Sequence, residues 1–354
     1  MNRVFISTSL LTNRDFNMTR TTTPNRRNAV TDERTHDVND AAPTSIRHII
    51  GQRNVIEQVS VALDAAFADG LPMPHALLVG PPGLGKTATA HVIAQEMASD
   101  LHEVLGQSIR SSADLNALLL AAKDRDVIHV DECHQLDRVF QTALYLGLDQ
   151  RRVLLNGNRK GSVPSGIPLA DFTLLLSTTD EFGLLQPLRD RMRLTLRFEF
   201  YSVEELVLLL DRKCRALGWE IENAVLPEIA TRARGTPRLA LRLLQACRRV
   251  CRVDGESVVT VQHLERACEL EQMDSLGLGP TERKYLDILA DGASRLNVIA
   301  SMLGIPSRTV SSVTEPFLLR AGLISKDDQS RRVLTERGRE HLQSSSLTVE
   351  LPHE

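Results

Sequence analysis

The chain has 354 residues, 42% of them hydrophobic and 25% charged, with a net charge of −3. That length predicts two or three domains, and the near-neutral balance excludes a globally basic, nucleic-acid-coating protein while leaving a local basic patch open. An aromatic content of 4% argues against base stacking as the main binding mode. Five cysteines without a C-x-x-C pair point to a reduced, cytoplasmic interior rather than a disulfide or zinc framework, and no apolar run is long enough to predict a membrane span.

Residues 1–45 are polar, rich in Thr, Asn and Arg, and lack periodicity, so a disordered arm is expected. Its early arginines resemble a targeting peptide and are equally explained by a true start at Met18. A large domain is expected over 46–200. A helix opens at Ile50-Gly51-Gln52 and runs to Ala68; a turn with Pro72 and Pro74 leads into the apolar strand His75–Val79. Strands are then expected at Leu101–Leu105, Asp126–Val130, Phe172–Ser177 and Leu194–Phe200, and helices at Ala113–Lys123 and Val139–Leu148. A hairpin is expected across 150–168, around an Asn-Gly turn. Strands alternating with helices predict an α/β, doubly wound parallel sheet. From 201 to 275 the pattern turns all-helical, with Gly218 and Gly235 as stop signals. Residues 276–343 read as a helix–turn–helix (Asn297–Ile305, then Ser307–Leu319) followed by a two-stranded wing. Here Arg331, Arg332, Arg337 and Arg339 form a basic cluster interspersed with acids, and 344–354 is expected to be a disordered tail.

Gly80–Thr87, GPPGLGKT, fits the P-loop pattern without a mismatch and lies between a strand and a helix. Backbone N–H groups of such a loop and the following helix N-terminus cradle a triphosphate, with Lys86 on the β/γ-phosphates and Thr87 on Mg²⁺. The ATP-binding candidates are therefore Gly83, Gly85, Lys86, Thr87 and Ala88. Asp131-Glu132 end a buried strand, where one carboxylate serves Mg²⁺ and the next polarises the attacking water. Thr178-Thr179 follow a central strand, where a polar side chain can sense the γ-phosphate; Thr178 is the ATP-binding candidate. Arg189 and Arg191, in Pro187–Arg191, are candidates to reach a neighbouring subunit's γ-phosphate. Gly235–Arg238 starts a helix with Pro at its first position, presenting Arg238 to the phosphates from the helical domain.

Together these segments resemble the AAA+ ATPases and, more closely, the RuvB family of Holliday-junction motors. The stretches that carry the likeness are IIGQ (Ile49–Gln52), HALLVGPPGLGKT, VIHVDECHQL, FTLLLSTT, GLLQPLRDRM, FEFYSVEEL, RGTPRLALRLL and EPFLLRAGLI. The resemblance implies an AAA+ P-loop domain, an all-α lid and a winged-helix domain. It also implies a homo-hexamer that uses ATP and Mg²⁺ to move branched double-stranded DNA beside a RuvA-like partner. By matching position it places Asp149 and Tyr201 at the nucleotide or the subunit seam. Arg191 becomes the trans finger, Arg238 the lid sensor, and Lys326 and Arg331 the DNA-backbone contacts; the 152–168 hairpin docks the partner. The chain departs from the family at Ala42-Pro43, Ala88, Cys133, Gln135, Asp180 and the acidic wing turn Asp327-Asp328, and in the hairpin's more basic sequence. These changes bear on partner docking and DNA affinity more than on ATP chemistry. Two other readings stay open: an initiator- or clamp-loader-like AAA+ switch, and an ATP-binding regulatory paralogue.

Overall fold

A computed structural model describes residues 42–155 and 165–347. Most of the expected arm, the hairpin tip and the final seven residues lie outside the described residues. Residues 42–45 do not continue a disordered arm: Ser45 Oγ donates to Glu96 Oε1 at 2.7 Å and caps the short 3-10 turn Ile46–His48.

The large domain runs α1 (Arg53–Asp69), β1 (Ala76–Val79), α2 (Lys86–Glu96), β2 (Leu101–Leu105), α3 (Ser112–Ala121), β3 (Val127–Asp131), α4 (Arg138–Gln150), β4 (Arg152–Leu155), β5 (Ser165–Pro168), β6 (Thr173–Thr178), α5 (Gln186–Arg189) and β7 (Leu194–Arg197). The helix α1 starts at Arg53, not Ile50, because Gly51 and Gln52 both take left-handed backbone, at φ 66° and 52°. Likewise β7 stops at Arg197, since its neighbour β1 ends at Val79. The five-stranded sheet is parallel in the order β2-β3-β6-β1-β7. Side-chain parity splits its apolar residues between two faces. Leu77, Ile128, Val130, Leu174 and Leu176 pack with Leu115, Leu119 and Leu144 on one side. Ala76, Leu78, Val127, Leu175 and Leu196 pack with α1 and α2 on the other. β4 and β5 form the expected antiparallel hairpin stem, Arg152 opposite Pro168.

The lid comprises α6 (Val203–Leu217), β8 (Glu220–Ile221), α7 (Val225–Arg232), α8 (Pro237–Val253), β9 (Val258–Val259) and α9 (Val261–Leu270). The helical reading holds, with one addition: β8 and β9 pair in parallel, closing the loops after α6 and α8 on each other. Lid residues such as Leu206, Leu243 and Leu244 share a continuous apolar core with α1, α2 and β1. All five cysteines are free and buried, and burial pushes the Cys247 thiol up to about 12.

The third domain contains α10 (Pro280–Ala290), α11 (Leu296–Leu303), α12 (Ser307–Thr309), α13 (Glu315–Arg320), β10 (Ile324–Lys326), β11 (Arg332–Leu334) and α14 (Glu336–Leu347). The second helix of the helix–turn–helix runs without a break from Ser307 to Arg320, but Val310–Thr314, between α12 and α13, is π-helical. Pro316 gives no N–H to the preceding turn, and the hydroxyls of Ser311 and Ser312 donate to the Arg308 carbonyl, competing for backbone acceptors. α14 extends four residues into the expected tail, Ser344 to Leu347.

Arg332 does not belong to the surface basic cluster. It is 8% exposed, and its guanidinium donates to both oxygens of Glu315 (2.6 and 3.0 Å), itself 2% exposed. Tyr285 Oη donates to the same carboxylate at 2.7 Å. Burial disfavours the Glu315 charge, but these donors outweigh it and hold its pKa below the ordinary value. Removing one partner leaves a buried charge unmatched. Arg332→Met is therefore expected to destabilise the third domain by about 3–5 kcal/mol, read as lost amide-exchange protection at Leu286 and Leu318, and Arg332→Met with Glu315→Leu should recover most of that loss.

Candidate nucleotide site

β1 delivers Gly80 to the edge of the sheet, and the loop 80–85 turns there into α2. Gly83 takes φ 79°, and a Cβ on it would lie 2.9 Å from Arg238 Cβ and 3.0 Å from Thr236 Cγ2. The lid thus packs directly on the loop, and the Arg238 N–H donates to Gly83 O at 3.3 Å. Gly85, at φ 100°, is the N-cap of α2, so the first N–H groups of that helix are left for a ligand. Lys86 is 6% exposed and its Nζ donates to the carbonyls of Gly80 (2.7 Å) and Pro81 (2.9 Å). Burial lowers its pKa from the ordinary lysine value, against the pull of Glu132 and Asp131.

The acid pair sits one strand-end away. Thr87 Oγ1 donates to Asp131 Oδ2 at 3.0 Å, joining the P-loop hydroxyl to the first carboxylate. Glu132 comes next in left-handed backbone (φ 48°), its N–H donating to Asp131 Oδ1 at 2.9 Å. That turn sends the two carboxylates apart, one to the P-loop helix and one towards β6.

Thr178 does not reach this site. It is fully buried, with its hydroxyl bound to the Asp180 backbone at 2.9 Å and 3.1 Å from His134 Nδ1. Thr179, the first residue past the strand, is exposed, and its Oγ1 donates to Glu132 Oε2 at 3.3 Å. The sequence offers both threonines as a pair; of the two, Thr179 is the one that contacts Glu132.

Lid and large domain enclose a cleft of about 730 Å³, lined on the phosphate side by Gly83, Gly85, Lys86, Thr87, Ala88, Asp131, Glu132, Tyr201 and Arg238. Its far end is lined by Ala42, Pro43, His48, Ile49, Ile50, Leu209 and Leu241. The sequence signal for that end was the family likeness at Ile49–Gln52 and at the Ala42-Pro43 position; His48, Leu209 and Leu241 carried none. Tyr201 is wedged against Gly51, where a Cβ would lie 2.9 Å from its ring. Burial pushes its hydroxyl up to about 12, so it stays a neutral donor, 3.5 Å from the Leu84 carbonyl.

Asp149 and Arg191 lie elsewhere. Neither lines the chain's own cleft. Arg191 Nε donates to Asp149 Oδ1 at 2.7 Å, and its guanidinium lies 4.8 Å from the centre of the Tyr145 ring. Asp149 is thus a partner of Arg191, not a lining group of this cleft. Arg189 packs on the exposed Phe182 ring at 5.2 Å. In the wing, Lys326 is exposed, whereas Arg331 Nε donates to Asp327 Oδ2 at 2.7 Å.

The residues fit a nucleoside triphosphate with a divalent cation. The loop glycines leave room for phosphates, α2 offers its N-terminus, and a buried ammonium faces the cleft. A hydroxyl hydrogen-bonded to a carboxylate is a hard-oxygen pair of the kind that holds Mg²⁺. Among the described residues no helix is long and apolar enough to cross a membrane.

Three domain families match in succession: the Holliday junction DNA helicase RuvB P-loop domain over 41–198, the RuvB AAA lid domain over 201–274 and the RuvB C-terminal winged helix domain over 275–343. The Holliday junction branch migration complex subunit RuvB of Parafrankia sp. (strain EAN1pec) is 38% identical over 294 residues, covering 82% of this chain and 83% of its own. The corresponding subunit of Thermotoga maritima is 35% identical over 305 residues, covering 85% and 91%. The solved Thermotoga maritima RuvB Holliday junction branch migration motor superposes with a TM-score of 0.74 at 33% identity, over 88% of this chain and 99% of that one. With all three domains matched in order, and relatives aligned over most of both lengths, this chain belongs to the RuvB family of AAA+ P-loop ATPases.

Proposed function

We propose that this chain hydrolyses ATP with Mg²⁺ in a cytoplasmic homo-hexameric ring and drives branch migration of Holliday junctions alongside a RuvA-like junction-binding protein. The observation that carries the reading is the line Thr87–Asp131–Glu132–Thr179 at the N-terminus of α2, with Arg238 above it and Arg191 outside it. The working parts are an ATPase body (46–200), a lid (201–275) and a DNA-binding winged helix (276–343). The β4–β5 hairpin is the docking element for the partner.

The roles rest on position. Lys86 exchanges the carbonyls of Gly80 and Pro81 for β- and γ-phosphate oxygens. Thr87 and Asp131 hold Mg²⁺, which neutralises phosphate charge when bound. Glu132 orients a water in line with the γ-phosphate and takes its proton, and Thr179 fixes the Glu132 carboxylate. Tyr201 closes the cleft beneath the lid. Arg238, bonded to Gly83 through its backbone, ties phosphate state to lid angle. Arg191 does not line its own cleft, and its role is to complete a neighbour's site, which requires a ring. Lys326 and Arg331 contact DNA phosphates, so binding is salt-sensitive and blind to sequence.

The deciding experiment is ATP hydrolysis at low salt with and without a synthetic four-way junction, followed by dissociation of that junction in the same samples. Stimulated turnover with dissociation supports the motor. Nucleotide binding without stimulated turnover, even with a RuvA protein added, overturns it in favour of a regulatory role.

The variants separate the roles. Lys86→Ala should abolish both nucleotide binding and hydrolysis. Arg191→Ala should bind nucleotide normally while kcat falls by roughly 10³-fold, and it should poison wild-type rings when mixed in; normal turnover would remove Arg191 from the site. Thr179→Ala should lower kcat by about tenfold or more with little change in stability, whereas Thr178→Val should chiefly destabilise the domain, as steady-state kinetics and thermal unfolding on the same preparations would show. In the wing, Asp327→Asn should free Arg331, tighten duplex binding and steepen its salt dependence by about one charge.

A further inference from the structure

The nucleotide cleft and the winged helix are joined by a node of crossed arginines. Arg320, at the end of α13, lays its guanidinium 3.3 Å from the centre of the Phe200 ring, on the segment linking β7 to the lid. It also donates to the Arg234 carbonyl at 2.6 Å. Arg234 reaches the opposite way, from lid to third domain. Its Nη1 donates to Glu282 Oε1 at 2.9 Å, its Nη2 to the Gly277 carbonyl, and its guanidinium lies 4.6 Å from the centre of the Phe317 ring. The connection between the two domains is tight there as well: a Cβ on Gly277 would lie 2.1 Å from the Arg232 carbonyl.

Immediately after Arg234, the lid makes its contact with the cleft wall and the phosphate loop. Gly235 O accepts from the Tyr201 N–H at 2.9 Å, and a Cβ on Gly235 would lie 3.0 Å from both Phe200 Cβ and Tyr201 O. Three residues further on, the Arg238 N–H donates to Gly83 O. Phe200 and Arg234, the two groups that Arg320 holds, are thus each the direct chain neighbour of a residue in this contact: Tyr201 in the cleft wall, and Gly235 beneath it. We propose that Arg320 is a positioning residue for the DNA-stimulated part of ATP hydrolysis, which transmits the position of the DNA-bound winged helix to Tyr201 and Arg238 through Phe200 and the Arg234 carbonyl.

A displacement of α13 cannot leave this segment unmoved while both contacts hold. Arg234 sits in left-handed backbone at φ 55°, so a small change there redirects the turn that carries Arg238. Burial and the nearby Arg234 charge both lower the Arg320 pKa from its ordinary value, which fits a cation held in place by ring and carbonyl rather than by a carboxylate.

The inference rests on the ATPase reading, and the test separates the two. In full-length rings, steady-state hydrolysis is measured against ATP concentration with and without duplex DNA. Arg320→Ala should keep basal kcat and DNA affinity within about twofold and lose most of the DNA stimulation, by about fivefold or more. Phe200→Leu should do the same, and Arg320→Lys, which keeps a cation over the ring, should restore part of it. A wild-type stimulation ratio in Arg320→Ala overturns the proposal. A wild type that hydrolyses ATP with no DNA response overturns it too. A wild type without hydrolysis overturns the ATPase reading instead. In that case amide exchange of α13 on adding a non-hydrolysable ATP analogue decides: protection in the wild type that is lost in Arg320→Ala supports the coupling, and no change in either removes it.

Discussion

Adjacent parallel strands must end at the same edge of their sheet, and the whole site depends on that constraint. Val79 pairs in register with Thr178, and Val130 with Leu176. Asp131, the last residue of β3, and the residues just past the strand ends, Gly80, Glu132 and Thr179, are therefore neighbours although up to a hundred positions apart in the chain. No side-chain interaction is needed to assemble them; the Thr87–Asp131 hydrogen bond is a consequence of the register. Because the strands β1, β3 and β6 are buried on both faces, a slip in register would cost apolar burial on two sides. The chemistry is held in place by the core.

The lid completes what the sheet edge begins. It shares one apolar core with α1, α2 and β1 rather than having a separate core of its own, so its angle is coupled to packing under the P-loop helix. It meets the loop where Thr236 and Arg238 pack on Gly83, with the Arg238 N–H donating to Gly83 O, and where Tyr201 lies beside Leu84 and Gly85. A broad apolar hinge with narrow polar contacts suits a cleft that must change shape with phosphate content, because changing the polar contacts does not expose the core.

Contiguous motifs were legible because their chemistry is local. GPPGLGKT needs only its own turn and helix, and the RGTPR segment carries its own helix start. The parallel sheet was legible from apolar runs, and the winged helix from periodicity with a turn. The features that stayed hidden depend on partners. Thr178 and Thr179 have the same composition and differ only in which side of the strand end they fall. Arg332 looks like its surface neighbours until Glu315, seventeen residues earlier, folds beneath it. Asp149 belongs to Arg191 across forty-two positions. At the far end of the cleft, Leu209 and Leu241 stayed hidden because apolar contact with a ligand places few demands on residue type beyond size and shape.

The Asp149–Arg191 pair shows how the finger proposed for Arg191 would be both held and available. Unpaired, a long arginine at a subunit edge would sample many rotamers and lose entropy on every engagement. Asp149 and the Tyr145 ring limit that sampling in advance. Yet the pair lies at the surface, with 28% and 42% of the two side chains exposed, where water screens the charges and an ion pair holds weakly. In the proposed ring, a neighbour's phosphate, carrying more charge than one carboxylate, would compete with Asp149 for the same guanidinium. The preorganisation would then survive between engagements, and the proposed exchange from Asp149 to a neighbour's phosphate would need only a reorientation of one side chain, not a rearrangement of α5.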